Sequence, residues 1–156
     1  MAGFTQGLRK STRNPRAFEN TQNVGTTFEN IFTIRNRRTY NGYTNQVEIE
    51  PRLLTLAAEG TKNVEVEVRA TSNPGVEQNF TTVGTNLVAD VDTSSVEVTS
   101  GRLLVATVIA PGSTEVLNLR DLEIRLPPSL NLVVQARVTS GSATDVSAAL
   151  TWYEDV

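Results

Sequence analysis

The chain of 156 residues contains no cysteine and no histidine. Without cysteine there is neither a disulfide framework nor a thiolate metal site, and nothing reports the redox compartment. Without histidine the commonest general base and the commonest metal ligand are both missing. Aromatic residues make up only 6% of the chain, with a single tryptophan, so a core has to be built from valine, leucine and isoleucine. No stretch approaches the roughly 20 apolar residues of a membrane span, and the opening residues lack a signal-peptide run. These gaps predict a protein of the aqueous phase with no membrane contact, no cofactor and no metal. The length suits one domain with extensions.

The net charge of −3 conceals an asymmetry. Residues 1–45 carry seven basic residues (Arg9, Lys10, Arg13, Arg16, Arg35, Arg37, Arg38) against two acids, Glu19 and Glu29, while the remainder carries seven against fifteen. A basic front on an acidic body can bind a foreign polyanion, or the acidic body of the next copy.

Residues 1–27 read as an extended N-terminal arm, rich in polar residues, with Phe4, Leu8, Phe18 and Val24 fitting no period for long. Extended, it would reach about 90 Å. The arm is either a solvated tail or a clasp on a neighbour, and the isolated phenylalanines favour the clasp. From Phe28 onward the period is two. Val64, Val66, Val68 and Ala70 alternate with charged residues. Leu130, Leu132, Val134, Ala136 and Val138 do the same, as do Val146, Ala148, Leu150 and Trp152, and the short loop between these two runs predicts a C-terminal hairpin. Residues 102–110 are apolar at nearly every position, which predicts a central strand covered on both sides or one facing a subunit interface. Residues 51–60 fit one or two helical turns or a strand. Eight or nine short strands with almost no helix signal predict an all-β fold: a single antiparallel β-sandwich over 28–156, of the jelly-roll kind among sandwiches.

Asn41-Gly42 is a strong signal for a two-residue hairpin turn. Counting outward predicts a protruding hairpin over residues 31–50. It would pair Tyr40 with Tyr43 and Arg38 with Asn45 on one side, and Thr39 with Thr44, Arg37 with Gln46 and Arg35 with Glu48 on the other. Arg35 would then be answered within the hairpin, with Glu50 diagonal to Arg37 and Arg38 left unpaired. A nucleic-acid surface wants unanswered cations beside aromatic platforms, so the hairpin reads as a protein-contact device (Arg37, Arg38, Tyr40, Tyr43).

Paired carboxylates are the only catalytic raw material. Glu48/Glu50, Glu65/Glu67 and Asp90/Asp92 have the spacing of solvated strand faces. Residues 90–97 open like a calcium loop, but the sixth-position glycine and the twelfth-position glutamate are absent. The expectation is therefore no enzyme, no catalytic residue and no small-molecule substrate.

The C-terminal stretch, with its Pro127-Pro128 loop, alternating strand, Thr139-Ser140-Gly141 turn and the closing Trp152, Tyr153, Glu154 and Asp155, resembles the end of β-sandwich virion proteins of tailed bacteriophages. Ser129 stands where glycine is more usual. The layout of arm plus sandwich is similar to capsid decoration (cement) proteins. That resemblance implies a non-enzymatic virion structural protein on the capsid exterior, made in the host cytoplasm. Its partners would be the major capsid protein and copies of itself, as homotrimers or similar assemblies. The arm (Phe4, Arg9, Lys10, Arg13, Arg16, Phe18) and the hairpin would make the contacts. A tail, neck or fibre-base protein, a jelly-roll coat protein whose basic arm binds nucleic acid, and a carbohydrate-binding module remain as alternatives.

Overall fold

A computed structural model describes residues 13–40, 42–72, 79–84, 87–94 and 96–155. All regular structure among them is strand apart from one 3-10 turn at Leu119–Leu122. The strands are β1 (Arg13–Val24), β2 (Glu29–Asn36), β3 (Thr39–Tyr40), β4 (Tyr43–Thr44), β5 (Glu48–Ala58) and β6 (Val64–Thr71). They continue with β7 (Thr81–Thr82), β8 (Ala89–Asp92), β9 (Arg102–Ile109), β10 (Thr114–Asn118), β11 (Asn131–Val138) and β12 (Thr144–Asp155). One sheet has the order β1-β12-β5-β10 and the other β7-β8-β2-β11-β6-β9, with every pairing antiparallel. The expected all-β antiparallel sandwich is what forms.

The core lies between the two sheets and follows the alternation in the sequence. Val64, Val66 and Val68 of β6, Leu132, Val134, Ala136 and Val138 of β11, and Val146, Ala148, Leu150 and Trp152 of β12 all point inward and are buried. Each fully buried aliphatic side chain contributes about 1.5–3 kcal/mol, so this interface dominates stability.

What the pattern does not specify is the partner of each strand. β11 and β12 were expected as a hairpin, but the 139–143 turn carries the chain from one sheet to the other. Residues 51–60 contribute to strand β5 and not to a helix, its inward Leu54 and Leu56 meeting the core. Residues 13–24, read above as arm, form β1 and pair with β12 at all twelve positions. Residues 1–12 of that arm lie outside the described residues.

The strand covered on both sides is not the one with the nearly continuous apolar run. β11, with the polar side chains Asn131 and Gln135 on its outer face, is the strand covered on both sides. Residues 96–100 lie over it, and Gln135 accepts from the Val98 N–H at 3.0 Å while donating to the Val98 carbonyl at 2.9 Å. The nearly continuous apolar run of β9 instead stands at the sheet edge, paired only with β6.

Candidate interaction surface

The expected tip forms between β3 and β4. Tyr40 pairs with Tyr43 and Thr39 with Thr44, and Gly42 supplies the positive φ of 79°. The Asn45 N–H donates to the Arg38 carbonyl at 2.9 Å, as the counted register requires. Beyond that point the predicted ribbon ends. Ile34 pairs with Val91 and Leu132 in one sheet, while Ile49 pairs with Glu154 in the other. β2 and β5 are drawn apart because each has an apolar face to bury against the opposite sheet, which outweighs a few cross-strand pairs.

A buried amide pair closes the base of the tip. Asn36 donates from Nδ2 to the carbonyls of Val47 (2.7 Å) and Leu126 (2.8 Å). Its Oδ1 accepts from Asn45 Nδ2 at 2.6 Å; that same Nδ2 also donates to the Arg37 carbonyl, and Asn45 Oδ1 accepts from the Val47 N–H. Tyr43 projects outward, 79% exposed, and Tyr40 packs partly against the core.

The arginines flanking the tip are answered from elsewhere in the chain, which corrects the pairing with Glu48 and Glu50. Arg35 reaches Asp90 Oδ2 at 2.8 Å and Arg37 reaches Asp90 Oδ1 at 2.7 Å. Phe80 lies 4.0 Å beneath the Arg35 guanidinium. Glu48 and Glu50 pair with Arg125. Arg38 meets no carboxylate among the described residues and donates to Ser129 Oγ at 3.2 Å.

Arg16 and Phe18 are also engaged within the chain. Arg16 Nε lies 3.3 Å from Glu154 Oε2, and Phe18 packs edge-on against Phe32 with ring centroids 5.6 Å apart. The backbone of Arg13 pairs with Asp155, while Phe4, Arg9 and Lys10 lie outside the described residues. Glu154 is 3% exposed, and its Oε1 accepts from the Val88 N–H at 2.6 Å. Burial raises its carboxyl pKa above the ordinary value, and the Val88 N–H, Arg16 and Arg37 offset only part of that. Arg16, Glu154, Arg37, Asp90 and Arg35 thus form a chain of alternating charge joining β1 and β12 to β2 and β8. The sequence marked Asp90 only as one of the Asp90/Asp92 pair and Glu154 only within the closing stretch; their arginine partners were not legible, because they lie on strands far apart in sequence.

Nor do Asp90 and Asp92 converge on a cation. Asp90 faces two guanidinia, and Asp92 Oδ1 accepts from the Ser94 N–H. Among the described residues no group of three or more acids is placed to hold a metal. Glu65 pairs with Arg137, and Glu67 with Arg69 and Gln135. No helix of the described residues is long and apolar enough to cross a membrane.

Exposed aliphatic side chains gather on β9 and its neighbour β10. Leu103 is 43% and Val108 58% exposed, and Val116 of the neighbouring β10 is 57% exposed. Residues 103–109 contain no charge and no proline. The other edges are guarded. β1 carries Pro15, Arg16 and Glu19, β10 has five residues and carries Glu115, and β7 has two residues.

No family model and no curated protein matches the chain. Among solved structures it is similar to a subunit of disulfide-linked pili, the endospore appendages of Bacillus, at 11% identity over 95% of this chain and 92% of that one, with a TM-score of 0.45. A protein of infectious bursal disease virus, Gx strain, gives 10% identity over 94% of this chain and 34% of its own length, with a TM-score of 0.23. The decameric BFDV capsid protein gives 10% identity over 90% and 98%, with a TM-score of 0.19. Likenesses this distant transfer no function to the chain.

Proposed function

We propose that this chain is a non-enzymatic structural protein that assembles with copies of itself and with a protein shell, as a capsid decoration protein of a tailed bacteriophage does. The observation that carries the reading is the position of β9. Its sequence left two options, a central strand or an interface strand, and an edge position with Leu103 and Val108 exposed supports the second. With no cysteine in the chain, such an assembly is held without disulfide links.

Strand order supports the jelly-roll reading. β1-β12-β5-β10 faces β2-β11-β6-β9, and of the connections between these eight only β6 to β9 stays within one sheet, with β7 and β8 as an excursion. The charge pairing supports a protein partner over nucleic acid, since Arg16, Arg35 and Arg37 already face carboxylates.

Light scattering on the size-exclusion eluate, across a concentration series, tests the assembly. A closed trimer or larger species supports it, whereas the single-chain mass of 17.0 kDa at every concentration contradicts it. Gold labelling of intact particles with an antibody to the chain tests the address. Label on the outside of heads supports decoration, label on tails supports a tail or neck protein, and unlabelled particles contradict both.

A further inference from the structure

The edge left open by β9 has a complementary segment within the same sequence. On the outer side of β9, Ala106 and Val108 border a groove with Phe28, Glu65, Glu67 and Arg137. On the inner side Thr107 donates to Glu115, which meets no cation among the described residues. What fits here is an extended strand with apolar side chains on one face and a cation on the other.

Residues 1–12, Met-Ala-Gly-Phe-Thr-Gln-Gly-Leu-Arg-Lys-Ser-Thr, have that pattern. Extended, they place Ala2, Phe4, Gln6 and Leu8 on one face, with Lys10 beyond them, and Arg9 on the opposite face. The segment holds no acid and no proline. At about 3.3 Å per residue it spans about 40 Å, more than the eight residues of β9 require. It leads directly into β1, and β1 and β9 lie at opposite sides of the sandwich. β1 is the first strand of a sheet whose last strand, β10, joins β9 through residues 110–113. The strand that the segment precedes is therefore on the side away from its own β9.

We infer that residues 1–12 of one copy add as a strand to β9 of the next. Leu8 lies on the groove face beside Ala106 and Val108, with Gln6 and Phe4 farther along that face, and Arg9 faces Glu115. Lys10 approaches Glu65 and Glu67. The inference rests on the assembly reading above and names the two surfaces that meet. The contact joins unlike surfaces head to tail, so it closes into a ring or runs on as a filament.

Complementation tests it. One variant lacks residues 1–12 and keeps the acceptor edge; the other, Val108→Lys, keeps the segment and places a charge at a position already 58% exposed. Circular dichroism and a cooperative thermal transition establish that each is folded. Each variant alone is expected to run at the single-chain mass, and the two mixed in equal amounts to give a species of twice that mass. If the full chain assembles and both variants still do, or if both are single chains and the mixture stays so, the strand-addition contact is wrong while assembly stands. A full chain that is itself single at every concentration overturns both. As a second measurement, a labelled peptide of residues 1–12 should bind the deletion variant and should lose at least about tenfold in affinity when Val108→Lys is added, since an edge charge opposes strand pairing; equal binding refutes the site.

Discussion

Replacing Asn36 by alanine should destabilise the protein far more than a polar residue near a hairpin tip ordinarily would. The side chain is fully buried and makes three hydrogen bonds, two as donor and one as acceptor. Each is worth about 1 kcal/mol net, and a carbonyl left buried without a partner costs about 1–3 kcal/mol more. The Leu126 carbonyl keeps the Ile49 N–H at 3.1 Å, and Asn45 Nδ2 keeps the Arg37 carbonyl, so the Val47 carbonyl is the exposed loss. The sum is about 4–6 kcal/mol, a large part of the roughly 5–15 kcal/mol that holds a domain together. The single tryptophan, Trp152, is fully buried and reports unfolding without an added label. With a urea slope of about 2 kcal/mol/M, the fluorescence midpoint should fall by about 2–3 M at unchanged slope. Asn45→Ala should cost a similar amount, and the double variant should cost less than the sum by at least about 1 kcal/mol, because the two amides share a bond. A loss below about 1 kcal/mol for Asn36→Ala, or strict additivity, would refute the account of how the tip is anchored.

Three further outcomes follow from the same geometry. Removing residues 1–12 should leave a cooperatively folding sandwich, whereas removing residues 1–24 deletes β1 and uncovers β12, so loss of the cooperative transition is expected only for the second; calorimetry checks this. Burial raises the folded-state pKa of Glu154 above its ordinary 4.5, so in the window above 4.5 the folded state binds more protons than the unfolded state and stability falls as pH rises; Glu154→Gln should remove that slope, and parallel denaturation curves at pH 4–7 check it. Ser129 sits at a φ of 78°, the left-handed region that disfavours side chains, so Ser129→Gly should change stability by no more than about 1 kcal/mol in the stabilising direction, reduced by the lost Arg38 bond; a clear loss in urea melts would count against the strain.

Side-chain period and strand pairing differed in how far the sequence revealed them. The inward residues of β6, β11 and β12 were legible because burial of one face forces a period of two. Partners were not legible, since the same alternation serves a hairpin or a crossing between sheets; β11 with β12 and β2 with β5 were paired wrongly for that reason. β1 escaped notice because its inward positions are Arg16, Phe18, Asn20, Gln22 and Val24. Its burial alternates regularly from Pro15 to Val24 even though its hydrophobicity does not. Asn20, for instance, points inward to donate to the Ile31 carbonyl at 2.8 Å. In β9 the opposite held, since an apolar run reads the same whether the fold or a partner covers it. Of the candidate site, the Tyr40–Tyr43 tip was legible from the turn chemistry, whereas the Asp90 and Glu154 ion pairs depended on strands far apart in sequence.

Hydrogen exchange of the full chain at low and high concentration tests the central claim most directly. The account predicts that amides in residues 102–109 become protected as concentration rises, while those of β10 at 114–118, the guarded edge, do not. Exchange in β9 that is independent of concentration, in a sample whose mass shows assembly, would contradict it.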